Sequence, residues 1–217
     1  MSTLLAALTA CAPLACGWTV HVAWLRRRLH VARRDPLTGL RTRDAFTHRA
    51  TNLLKDGRAI VVLADVDHFK QINDRHGHAA GDALLKATAD RLARHVGPSG
   101  VVGRLGGDEF AAVLTDRHGA AADLLAHLHT TLAGPVDGLD PAVRTTVSLG
   151  WARAADFPGE DLSALLRRAD EAMYAAKQEA RSGLRRAGLG RLFATVAGRR
   201  SGRRGARTDL PVMGVAA

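Results

Sequence analysis

The sequence predicts an α/β (α+β) domain, a central and mostly antiparallel sheet flanked by helices, behind an N-terminal membrane-spanning helix. Three observations carry that expectation. Residues 59–64, AIVVLA, are an uninterrupted apolar run rich in β-branched side chains, the composition of a strand covered on both faces. VVGRL (101–105) and EFAAVL (109–114) flank Gly106-Gly107 and read as the two arms of a hairpin. Around them lie stretches whose apolar residues recur at helical spacing.

Taken in order, Phe46, Ala50, Leu53 and Leu54 form one helical stripe, closed by Asp56-Gly57. The 59–64 strand follows and ends at DVDHF. Leu85, Ala89, Leu92 and Val96 mark a second helix, and the hairpin comes next. A third helix carries Ala121, Leu124, Leu128 and Leu132; VRTTVSLGWA (143–152) alternates as a strand; Leu162, Leu165, Ala169, Met173 and Ala176 mark a final helix. The order is αβαββαβα, with helices packed on an antiparallel or mixed sheet.

The chain has 217 residues, 47% of them hydrophobic, enough for one cored domain with extensions. Its net charge of +10 is unevenly placed. Residues 1–34 carry +5, residues 35–182 carry −2 and residues 183–217 carry +7. A nucleic-acid-binding core would hold its basic patch in the folded part, so that class is excluded and no nucleic acid is expected as a partner. Basic flanks around a near-neutral middle suit an enzyme whose ends meet an anionic surface.

Thr3 to Leu25 is a 23-residue apolar stretch in which His21 is the only titratable side chain. At about 1.5 Å per residue a helix of that length crosses a hydrocarbon core of roughly 30 Å. Trp18 and Trp24 lie toward one end and Arg26-Arg27-Arg28 follow at once, which predicts a single-pass anchor in the cytoplasmic (inner) membrane with the domain in the cytoplasm. A cleaved signal peptide, or a lipoprotein box at Leu8–Cys11, would want a basic start, and none precedes Arg26. Cys11 and Cys16 both fall inside the segment, where they read as small apolar residues in lipid and say nothing of a disulfide framework. The expected organisation is an anchor at 1–25, a basic juxtamembrane helix at 26–34, the domain at 35–182 and a basic, disordered tail at 183–217. Ala6, Ala7 and Ala10 offer a small-residue face on which the membrane helix can dimerise.

Acidic residues cluster where the strands end. Asp65 and Asp67 close the first strand, and Asp108 and Glu109 sit at the turn of the hairpin. If the hairpin pairs with that strand, carboxylates from two elements converge on one sheet edge, at a desolvation cost unless positive charge meets them. Such oxygen ligands suit Mg²⁺, which takes one or two carboxylates together with phosphate oxygens. Lys177 and Arg181, spaced i and i+4 on the last helix, offer cations for phosphate. Asp67 reads as structural, Arg104 as the partner of a nearby carboxylate, and His76 and His78 as turn residues, since no further zinc ligand lies at suitable spacing. Asn73 and Asp82 also suit a turn and a helix cap.

Gly106-Gly107-Asp108-Glu109-Phe110, with DPLTGL (35–40), DVDHFKQINDRHGHAAGD (65–82) and ADEAMYAAK (169–177), resembles the GGDEF family of diguanylate cyclases in order and spacing across residues 35–182. The resemblance implies the palm-like nucleotidyl-cyclase fold and condensation of two GTP into cyclic di-GMP. It implies Mg²⁺, or Mn²⁺ in its place, held by Asp65, the carbonyl of Val66, Asp108 and Glu109. It implies guanine contacts from Asn73 and Asp82, and phosphate contacts from Phe69, Lys70, Gly106, Gly107, Lys177 and Arg181, with Asp108, Glu109 and Lys177 as the catalytic set. A homodimer is implied, because each domain supplies one GTP. The chain departs from the family where its Arg-x-x-Asp product-inhibition site belongs: the window holds Gly97-Pro98-Ser99-Gly100, so inhibition by that route is not expected. Arg41-Thr42-Arg43 and Ala180-Arg181-Ser182 also replace the family's usual Pro-Asn-Arg and Gly-Arg-Asn. A catalytically silent, GTP-binding or protein-interacting domain is the alternative reading.

Overall fold

Residues 59–66 form β1 (Ala59–Val66), every residue of it buried except Asp65, which is half-buried, and the rest of the fold is arranged around it. The structure is a computed structural model that describes residues 18, 19, 21, 22, 24, 33–116, 119–140, 143, 146–180 and 183–188. Before β1 lies α1 (Arg43–Leu54), which buries Ala45, Phe46 and Ala50. After it come α2 (Phe69–His76), α3 (His78–Val96), β2 (Val101–Gly106), β3 (Glu109–Thr115), α4 (Ala121–Leu132), β4 (Val147–Arg153), α5 (Leu162–Ala180) and β5 (Leu184–Arg186).

The sheet order is β2-β3-β1-β4-β5. β1 is antiparallel to both β3 and β4, β2 is antiparallel to β3, and β5 runs parallel to β4, so the sheet is mixed. Alternation along β1 divides the core in two. Ile60, Val62, Ala64 and Val66 face a cluster built with α2, α3 and α4, including Ile72, Leu84, Leu92, Leu125 and Leu128. Val61 and Leu63 face the other, with Phe46 of α1 and Leu165, Ala169 and Met173 of α5.

Five expectations need correction or limits. DVDHF does not lead through a loop to the second long helix; a separate short helix, α2, intervenes, and only Ile72 of it is buried, too little for an apolar stripe to show. In α4 the buried side is Ala121, Leu125, Leu128 and Leu132, while Leu124 is exposed. β4 begins at Val147, not 143. Residues 184–186, assigned to the basic tail, join the sheet as β5, and Ala187 is buried. Arg33 and Arg34, assigned to a juxtamembrane helix, form a turn and a β-bridge to Arg41, because the Asp35-Pro36 corner folds the chain back on itself. Among the described residues no helix is long and apolar enough to cross a membrane. The expected anchor lies outside them apart from Trp18, Thr19, His21, Val22 and Trp24, which are helical; the tail beyond 188 also lies outside.

Candidate active site

The antiparallel register of β1 and β3 sets Asp65 opposite Glu109. Paired residues point to the same face, so both carboxylates leave the sheet on the side of α1 and α5, at one end of two central strands rather than at a lateral edge. Asp108 occupies the turn before β3, and its carbonyl accepts from Val66 N–H at 3.3 Å, tying the end of β1 to that turn. Gly107 has φ 49° and Gly106 φ 155°, and a Cβ at either would meet no atom within 4 Å. The glycines are therefore required by backbone angle and not by crowding within the domain.

Arg104 braces this turn. Its Nε and Nη2 donate to the Gly107 carbonyl at 2.9 and 2.7 Å, and its Nη1 donates to both oxygens of Asp35 at 3.0 and 3.2 Å. Burial would raise the Asp35 pKa, but hydrogen bonds from Thr38 and Arg104 outweigh it and hold it below the usual carboxylate range. Arg104 thus pairs with a carboxylate, as expected.

Lys177 Nζ donates to Asp65 Oδ1 at 2.5 Å. Burial pushes the Asp65 carboxyl up, Lys177 pulls it down, and Asp108 and Glu109 add repulsion; the balance is a pKa raised to about 6. Burial is the largest part of that rise, and one ammonium does not cancel it. A divalent cation would, and the donor chemistry fits Mg²⁺ that brings phosphate oxygens with it. Among the described residues no three His, Cys, Asp or Glu side chains converge as a ready cage. Glu109 lies 4.0 Å from Arg43, whose guanidinium also donates to the Leu105 carbonyl at 2.8 Å.

Asp67 is already engaged by β4. Thr146 Oγ1 and Ser148 Oγ each donate to it at 2.7 Å, and it is only 5% exposed, so it fastens the end of β1 to β4 and is no free ligand. Next to it His68 adopts φ 57°, and α2 starts at once with Phe69 and Lys70. These two stand at a helix N-terminus with no side-chain cap; free N–H groups there suit phosphate. Asn73 lies within α2 and Asp82 in the second turn of α3, so neither caps a helix. Asn73 Oδ1 is buried without a hydrogen-bond partner among the described residues, and Asp82, on the far side of the α2–α3 break, is exposed. His76 and His78 flank Gly77, the break between these helices.

Two glycines that the sequence reading passed over shape the site. A Cβ at Gly81 would stand 2.0 Å from Asn73 Oδ1, and one at Gly150 would stand 2.0 Å from the Ala169 carbonyl. Gly81 makes room for the asparagine; Gly150 lets α5, and with it Lys177, lie directly on β4. Their only signal in the sequence is a glycine inside a helical or a strand pattern. Arg181 lies outside the described residues.

Comparison with known proteins agrees with this arrangement. The sequence model of one family, "Diguanylate cyclase, GGDEF domain", matches residues 32–183. An uncharacterized 19.3 kDa protein of Streptomyces ambofaciens is 48% identical over 170 residues, 78% of this chain and 91% of that protein. Diguanylate cyclase TpbB of Pseudomonas aeruginosa is 40% identical over 171 residues, 74% of this chain but only 38% of TpbB. The solved GGDEF domain of TpbB superposes with a TM-score of 0.64 at 38% identity, covering 72% of this chain and 95% of that one. The coiled coil and GGDEF domain of DgcB from Caulobacter crescentus, solved with c-di-GMP, gives 0.70 at 27% identity, covering 85% and 100%.

Proposed function

Because the chain belongs to the GGDEF family of diguanylate cyclases, nucleotidyltransferase-type enzymes, we propose that it condenses two GTP molecules into cyclic di-GMP and two pyrophosphates. The observation that carries this reading is the half-buried Asp65, with Asp108 and Glu109 as like-charged neighbours and, among the described residues, Lys177 as its cation at 2.5 Å. Asp65, the Val66 carbonyl and Asp108 would hold Mg²⁺ or Mn²⁺, with Glu109 beside them. The ion, when bound, neutralises phosphate charge and orients the α-phosphate.

The chain's own groups supply the rest. The open N-terminus of α2 at Phe69 and Lys70 would receive terminal phosphates, and the Lys177 ammonium would supply a cation for them. Asn73 Oδ1, buried and without a partner, is an acceptor awaiting a donor such as a guanine amine, and Asp82 is exposed at the adjoining helix. Gly106 and Gly107 leave open space where nucleotide backs onto the turn. Each 3′-hydroxyl then attacks the α-phosphate of the GTP on a facing domain, the new phosphodiester forms as the bond to pyrophosphate breaks, and a homodimer is needed.

Anchoring in the cytoplasmic membrane belongs to the same proposal. It is supported by the apolar 3–25 segment, by Arg26–Arg28, and by the 70% and 48% exposure of Trp18 and Trp24. The test is the full chain in lipid nanodiscs with GTP and Mg²⁺, its nucleotides separated by chromatography beside Asp108→Ala. Cyclic di-GMP from the wild type alone is expected. GTP bound by a demonstrated dimer that makes no product would overturn the cyclase reading in favour of a silent nucleotide-binding domain.

A further inference from the structure

Away from the acidic cluster, a pocket of about 400 Å³ is lined by Arg33, Arg41, Arg49, His48, Thr42 and Asp44. Three guanidinium groups therefore meet around one concavity, which free side chains would avoid. The fold forces the meeting. Arg34 and Arg41 form a β-bridge, Thr42 N–H donates to the Arg33 carbonyl at 3.0 Å, and Arg104 N–H donates to the Arg41 carbonyl at 2.9 Å. Ala45 and Arg49, one turn apart on α1, complete the wall.

Among the described residues no ion pair joins Arg33, Arg41 or Arg49 to an acid, although Asp44 borders the pocket. Arg41 is half-buried, and burial followed by the charges of Arg34, Arg49 and Arg33 draws its pKa below the ordinary guanidinium value. The first turn of α1 opens into the same space, with Thr42 at its N-cap and no side-chain hydrogen bond there. An unpaired guanidinium cluster, with Arg41 half-buried between exposed Arg33 and Arg49, is a receptor for a phosphate group, which offers charge and several acceptor oxygens together.

We propose that this pocket seats the phosphate of an anionic phospholipid headgroup, holding the domain against the membrane surface at a fixed orientation. The inference rests on the proposed anchoring. Arg33 stands eight residues beyond Leu25, a reach of at most roughly 28 Å, which brings the pocket within range of the headgroups. The net +5 of residues 1–34 favours the same leaflet.

The experiment uses the full chain in nanodiscs of phosphatidylcholine alone or with one third phosphatidylglycerol, read by amide hydrogen exchange across residues 41–50. Exchange is expected to slow in the anionic discs only. In the double variant Arg41→Gln/Arg49→Gln the protection should fall by about fivefold for each arginine lost. The double variant should melt no lower than the wild type in phosphatidylcholine discs, since it removes like-charge repulsion and no ion pair. Equal exchange in both discs, or protection that survives the double variant, overturns the proposal. So does protection produced in phosphatidylcholine discs by inorganic phosphate alone, which would mark a free-anion site. A chain that fails to co-elute with discs indicts the anchoring reading instead; phosphatidylglycerol vesicles mixed with that free chain then test the pocket by the same variant.

Discussion

An ionised carboxylate at Asp65 is costly before substrate arrives. Its pKa of about 6 in the folded state, against the usual 3.8, means that the fold binds a proton the unfolded chain has released. Stability from this group is therefore present below pH 4 and lost as pH rises from about 4 to 6. Asp65→Asn should stabilise the protein at pH 7.5 by about 2 kcal/mol, flatten that part of the pH–stability curve, and abolish turnover. Denaturant titrations at pH 5 and 7.5 check the sign. Mg²⁺ with GTP should raise the melting temperature of the wild type and leave that of Asp65→Asn nearly unmoved, since binding stabilises only the state that binds. Gly81→Ala probes base recognition more selectively. Its Cβ would stand 2.0 Å from Asn73 Oδ1, the end of a side chain that can turn away. The expected result is a raised KM for GTP with stability nearly unchanged, read from initial rates and thermal melts of the same sample.

At the scale of elements, Gly150 sets how closely α5 lies on β4. A Cβ there would stand 2.0 Å from the Ala169 carbonyl and 2.3 Å from the Met173 amide, backbone atoms that can yield only if the whole helix moves. Gly150→Ala should cost about 3 kcal/mol, the upper end for overpacking, and should lower kcat because Lys177 rides on the displaced helix; calorimetry and kinetics test both parts. Elements that bury a continuous face were legible in the sequence. β1, the hairpin, α3 and α5 each carry an apolar pattern that their burial repays. α2 was not, because its eight residues are polar apart from Phe69 and Ile72 and it exists to place Asn73 and its own N-terminus. β5 was hidden by arginines: Leu184-Arg185-Arg186 looks like a charged tail, yet its backbone pairs with β4, and Arg186 packs over Trp151 and pairs with Asp156. The carboxylate pairing of Asp65 with Glu109 could be anticipated from the hairpin; the orientation of Asp67 toward Thr146 and Ser148 could not, since those partners are about 80 residues away.

For the whole molecule, the proposed condensation joins two nucleotides, and with one GTP bound per domain it would take two copies of the chain. Specific activity should rise with protein density in the membrane, which a dilution series in proteoliposomes measures directly. The segment 97–100 carries neither arginine nor aspartate, and added product should leave the rate unaffected through that route. The two N-terminal arginines and the signature turn are also mechanically one piece. The chain enters at Arg33, turns at Asp35, and there meets the same guanidinium that grips the Gly107 carbonyl, while the bridge at Arg41 and Gly103 fastens the next step of the path to β2. From Arg33 to the signature turn the path therefore runs through direct contacts alone, as a crank joins its handle to its blade.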